Sequence, residues 1–100
     1  MYDIISIGSA TRDVFFSLDE LKKFKIDDFP TGEAICLGSG SKIEMKKIAF
    51  ASGGGGTNAA VTFVRQGLKT ADIGVVGQDF NGEEILRELS SEGIDVQYFQ

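Results

Sequence analysis

Residues 53 to 56 are all glycine, and they stand directly in front of a segment with helical spacing. Glycine costs backbone entropy wherever it is fixed, so such a run needs a structural or chemical reason. After it, apolar residues fall at 59, 60, 63, 64 and 68, the pattern of a helix with one buried face. The helix is read over 58 to 68, and Gly67 sits where a C-terminal glycine ends it. KTADIGVVG then predicts a buried strand over 73 to 76. A second helix follows. Asp79 or Asn81 can cap it, Glu83 and Glu84 occupy its first turn, Ile85, Leu86 and Leu89 form its stripe, and Gly93 ends it. IDVQYFQ opens a further strand. The alternation from residue 43 onward is a βαβ pattern, which predicts an α/β fold with a largely parallel core sheet.

The N-terminal half is less regular. YDIISI, stopped by Gly8, reads as a buried strand, and DVFFSL as a second one with Val14, Phe16 and Leu18 on one face. From 19 to 37 the period is lost around the sole proline, Pro30, with one helical turn expected at 19 to 24. In SKIEMKKIAFAS, Ile43 and Met45 differ in parity from Ile48 and Phe50. A one-residue bulge near Lys46 and Lys47 would bring all four to one side of a bent strand. A parallel sheet needs more strands and a covering helix than the sequence supplies. The expectation is therefore the N-terminal part of a longer protein.

Composition removes several kinds of chemistry. The chain has no histidine and a single cysteine, Cys36. Ser-His and Cys-His nucleophiles, internal disulfides and cysteine-pair zinc sites are thereby excluded. A net charge of −5 with scattered lysines argues against nucleic acid as a partner. No apolar run reaches membrane-spanning length, and the N-terminus lacks a basic region ahead of its apolar part. A cytoplasmic location without membrane attachment is the expectation.

Three readings of the glycine run are open. It could bind phosphate, because a helix N-terminus presents unpaired N–H groups and glycine permits close approach. The Walker pattern fails for want of a Gly-Lys-Ser/Thr, but Gly54-x-Gly56-x-x-Ala59 fits a relaxed dinucleotide fingerprint. That alternative is a Rossmann-type fragment of an oxidoreductase, although the fingerprint belongs after the first strand of its fold. The run could instead be a hinge or a tight helix start. Or it could hold another ligand.

The third reading is carried by a resemblance. GGGGTNAAVTFVRQGLKTADIGVVGQDFNG, with GQDFNGEEILRELSSEGIDV and the opening IISIGSATRDVFF, resembles the N-terminal part of the ribokinase-like (PfkB) carbohydrate kinases. The matched features are the glycine cluster, Asn58 before a small Ala60, Gly67, Gly77, the Gly-x-Asp-x-x-Gly turn and the Glu-Gly-Ile-Asp helix end. The resemblance covers nearly the whole chain, least closely at 15 to 52.

It implies a ribokinase-like fold, incomplete here, in which 1 to 100 form the N-terminal part of the kinase domain and 15 to 52 a small β lid. It implies that Gly54, Gly55 and Asn58 line the phosphoryl-acceptor site, that Asp13 accepts hydrogen bonds from substrate hydroxyls, and that Thr11 lies beside it. The activity implied is transfer of the ATP γ-phosphate to a hydroxymethyl group of a sugar or nucleoside, with ATP and Mg2+ as cofactors. Association of two copies through the lid strands belongs to the same expectation. The family's catalytic aspartate lies in a Gly-Ala-Gly-Asp type motif beyond residue 100, so the chain alone is expected to be inactive. A non-catalytic sugar-binding module is the remaining alternative. Two departures from ribokinase itself fall at the sugar site: Thr11 stands where it has asparagine and Gly55 where it has lysine. The resemblance therefore does not carry ribose over as the substrate. Asp79 and Asn81 are read as turn and cap residues.

Overall fold

The computed structural model describes residues 1–19 and 22–100. Two compact units are present: Met1–Asp13 with Phe50–Gln100, and Val14–Ala49.

In the first unit, strand β1 (Ile4–Ile7) pairs in parallel with a strand at Thr70–Ile73, in the register Ile4↔Thr70 to Ile7↔Ile73. The strand expected over 73 to 76 thus forms three residues earlier. Its position is fixed by backbone pairing with β1, which the local apolar run does not encode. The segment after residue 93 forms no regular strand. It touches the sheet through an Ala71↔Asp95 bridge and again through Gln100, whose N–H donates to Gly74 O. Between these points Phe99 N–H turns back to Val96 O.

Helix α1 (Gly55–Arg65) begins inside the glycine run, three residues before its expected start, and helix α2 spans Phe80–Ser91. Both end as the glycines predict. Gly67 and Gly93 take φ of 88° and 91°, beyond the reach of most side chains. Gly67 N–H donates to Val64 O and Leu68 N–H to Phe63 O; Gly93 and Ile94 repeat the pattern on Ser90 and Leu89. These paired bonds are Schellman motifs. Asp79 caps α2 by accepting from Gly82 N–H at 2.8 Å, as expected of the first of its two candidate caps. Ala60, Ile85, Leu89 and Ile94 make the core, with Val61, Val64 and Phe99 packed against it.

Strand β2 (Thr11–Ser17) is paired with β5 (Lys47–Gly53), and β3 (Lys22–Lys25) with β4 (Glu33–Cys36); the Thr70–Ile73 strand is β6. In the second unit, β3 and β4 form an antiparallel hairpin in the register Lys22↔Cys36 to Lys25↔Glu33. Two expectations are corrected here. Lys22–Lys25 is strand, not helical turn, because cross-strand pairing with β4 claims its backbone; Glu20 and Leu21 lie outside the described residues. The strand expected from residue 43 starts only at Lys47, and Ile43 and Met45 lie outside it, exposed. No bulge is then needed to reconcile their parity with that of Ile48 and Phe50.

Candidate functional site

The glycine run sits where β5 turns into α1, and Ser9, in the β1–β2 loop, meets it. Its hydroxyl accepts from Gly55 N–H at 3.0 Å. Its carbonyl accepts from Gly56 N–H at 3.1 Å and Thr57 N–H at 3.3 Å. Asn58 N–H donates to Gly54 O at 2.9 Å. A helix N-terminus leaves its first donors without intrahelical partners. Here Ser9, 46 residues away from Gly55 in sequence, takes the place of a capping side chain. The donors that would hold a phosphate are already engaged, so the dinucleotide alternative loses the anion site that its glycine fingerprint would supply.

Three of the glycines have separate steric reasons. Gly54 has φ of 97°, and a Cβ there would lie 2.4 Å from Ser9 O. A Cβ on Gly56 would lie 2.8–2.9 Å from the backbone of Gly8, so α1 and the end of β1 are in backbone contact. A Cβ on Gly53 would fall 2.4 Å from Asp13 Oδ2 and 3.1 Å from Thr11 Oγ1. Gly55 has no such reason, since the nearest atom to a Cβ there is Ser9 Oγ at 3.9 Å.

The Gly53 contact draws the site together. Thr11 Oγ1 donates to Asp13 Oδ1 at 3.0 Å, and both side chains lie over the bare backbone of Gly53. Of the residues expected at the acceptor site, Thr11 and Asp13 form this cluster, and Gly54 and Gly55 continue the chain from it. Asn58 is exposed on the first turns of α1, facing a groove it shares with Thr62, Arg65 and Glu88. Its side chain makes no hydrogen bond to the cluster among the described residues. Gly53 and Ser9 were not singled out in the sequence. A small residue opposite an acid is visible only once two strands are paired, and a serine two residues before a strand has no local signature.

Below this level, Ser6 Oγ donates to Gly56 O at 2.9 Å. Asp72, its in-register neighbour on β6, is only 1% exposed. Burial pushes the Asp72 carboxyl up, against the opposing pull of the Ile73 amide and the nearby Ser6 hydroxyl. Among the described residues, no group of three or more Asp, Glu or Cys is arranged to hold a metal ion.

Comparisons with known proteins bear on the family and on the fold. The family model for pfkB family carbohydrate kinases matches residues 2–100. The chain belongs to this kinase family. It is 30% identical over 95 residues to a nucleoside kinase of Methanothermobacter thermautotrophicus, covering 95% of this chain and 26% of that protein. The structure of a ribokinase from Giardia lamblia matches with a TM-score of 0.63 and 28% identity, over 95% of this chain and 26% of that one. An Arabidopsis thaliana ribokinase complexed with ribose and ATP matches with a TM-score of 0.70 at 22% identity, over 95% and 26%. The chain thus spans about a quarter of the length of these kinases. The mixed α/β architecture with its parallel pair is a part of the ribokinase fold. No described helix is long and apolar enough to cross a membrane.

Proposed function

We infer that the chain is the acceptor-binding part of an ATP-dependent kinase that transfers the γ-phosphate to a hydroxymethyl group of a sugar or nucleoside. The observation that carries this reading is the Thr11–Asp13 pair held over Gly53, in a chain of the PfkB family. A polyol is recognised by ionised acceptors on rigid backbone, and charge-assisted hydrogen bonds are the strong ones. Thr11 donates to Oδ1 and so orients the Asp13 carboxylate. The remaining lone pairs are available to substrate hydroxyls. Gly54 and Gly55 bring bare backbone to the same place, and Asn58 supplies a neutral amide from α1. The segment from 15 to 52 acts as the lid, and a second copy can pair with its strands.

ATP supplies the phosphoryl group and Mg2+ neutralises its charge in such a reaction. The glycine loop does not fit the phosphates, because Ser9 and Gly54 occupy its N–H groups. The nucleotide and the catalytic base are therefore assigned to the rest of the kinase, and no step is routed through this loop.

The test is Asp13→Ala in the full-length kinase, with each substrate varied in turn. Losing charge-assisted bonds worth about 1.5–3 kcal/mol lowers acceptor kcat/KM by roughly 10- to 100-fold. The KM for ATP stays where it was. Asn58→Ala acts in the same direction but more weakly, and the two effects are non-additive if one ligand spans both. Unchanged acceptor kinetics in folded Asp13→Ala would sink the site assignment.

A further inference from the structure

Side chains alternate across a strand, so the residues flanking an acceptor face point away from it. Thr11 and Asp13 lie on the face where a Gly53 Cβ would project. Arg12 and Ser52, one residue from Asp13 and from Gly53, belong to the opposite face. There they meet one carboxylate from α2. Ser52 N–H donates to Glu88 Oε2 at 3.0 Å, and the Ser52 hydroxyl donates to the same oxygen. Arg12 Nη1 lies 3.5 Å from Glu88 Oε1, and Nη2 lies 4.0 Å from Glu84 Oε2. The guanidinium also sits 5.4 Å over the Phe50 ring, again on β5, and its side chain is only 13% exposed.

We propose that Glu88 is a positioning residue for the acceptor face, holding Asp13 and Gly53 in place from behind through Arg12 and Ser52. The proposal rests on the acceptor-site reading above. One side chain ties β2 and β5 together at the level of the site. The Ser52 amide gives its proton to Glu88, so the backbone of β5 is itself anchored to α2. Among the described residues the Nε and Nη1 atoms of Arg12 have no hydrogen-bond partner, so the cation is held by charge and by the Phe50 face. Glu84 faces Arg87 as well, and the Arg87 guanidinium, with Arg12 behind it, holds the Glu84 carboxyl below its ordinary value. Glu84 is thus shared between two arginines, whereas Glu88 contacts both Arg12 and the backbone of β5. That makes Glu88 the member whose loss reaches the site.

The experiment compares Glu88→Ala and Glu88→Gln with the natural chain by NMR, and titrates each with D-ribose and adenosine. In Glu88→Ala, exchange of the Ser52 N–H should quicken roughly tenfold or more. The amides of Thr11, Asp13 and Gly53, the residues that form the acceptor face, should shift, while those of Ser90 to Gln100 keep their positions. Whichever probe binds the natural chain should bind Glu88→Ala roughly tenfold more weakly. Glu88→Gln keeps an acceptor for Ser52 but loses the charge that faces Arg12, so it should show the same shifts and the same weakening at smaller amplitude. It also carries the test if Glu88→Ala fails to fold. Unmoved Thr11, Asp13 and Gly53 resonances in a folded Glu88 variant would overturn the proposal, as would shifts spread evenly over the chain. If the natural chain binds neither probe, the acceptor reading of this face fails for both classes, and the amide shifts still decide whether Glu88 positions it.

Discussion

Asp72→Asn should make the chain more stable, and increasingly so as pH rises. Asp72 stands mid-strand on β6, 1% exposed, beside Ser6, whose hydroxyl is committed to Gly56 O. Neither carboxyl oxygen completes a hydrogen bond among the described residues. Burial raises the carboxyl above its ordinary value, and no cation among the described residues reverses this. The sign follows from linkage. Below the unfolded value of about 3.9, both states are neutral and folding pays nothing for ionisation. As pH climbs from there through the raised folded value, the unfolded chain gains a charge that the folded chain resists, and stability falls. Each tenfold change in the proton affinity of the carboxyl is worth about 1.4 kcal/mol, so the gain on removing the ionisable group should grow from close to nil near pH 4 to its full size near pH 8. For a domain of this size each kcal/mol moves Tm by about 4–8 °C. Urea and thermal unfolding, followed by circular dichroism from pH 4 to 8, would give the difference between the two proteins, in which the other carboxylates cancel. A difference that stays flat with pH, or that shrinks as pH rises, would refute the reasoning.

Two further substitutions probe the architecture around the site. Gly56→Ala drives a methyl to 2.8–2.9 Å from the Gly8 backbone and should cost about 1–3 kcal/mol, whereas Gly55→Ala, with only Ser9 Oγ at 3.9 Å, should be neutral or stabilising; urea midpoints distinguish them. Asp79→Ala removes the α2 cap and should cost about 1 kcal/mol, while Asn81→Ala should leave the same unfolding midpoint unchanged.

Both helices were legible in the sequence because their signals are local. Apolar spacing, Asp79 at one end, and Gly67 and Gly93 past the other act within a few residues of one another. The glycine–Asn58–Gly67–Gly77 spacing was enough to suggest the kinase family before any coordinates. Strand positions were less legible. β6 lies at Thr70–Ile73 because pairing with Ile4–Ile7 places it there, and β5 begins only at Lys47. Asp13 and Thr11 could be nominated from the sequence, but not the bare Gly53 backbone they cover. Nor could the use of the glycine run be read from its composition. Gly55 is bound by Ser9 across 46 residues, Gly56 by Ser6 across 50, and Ser52 by Glu88 across 36. Whether a helix start is free to hold an anion depends on what arrives from elsewhere in the chain. In this protein a serine from the β1–β2 loop arrives first, so tertiary structure made the loop a rigid floor beside Asp13 and closed it as a phosphate cradle.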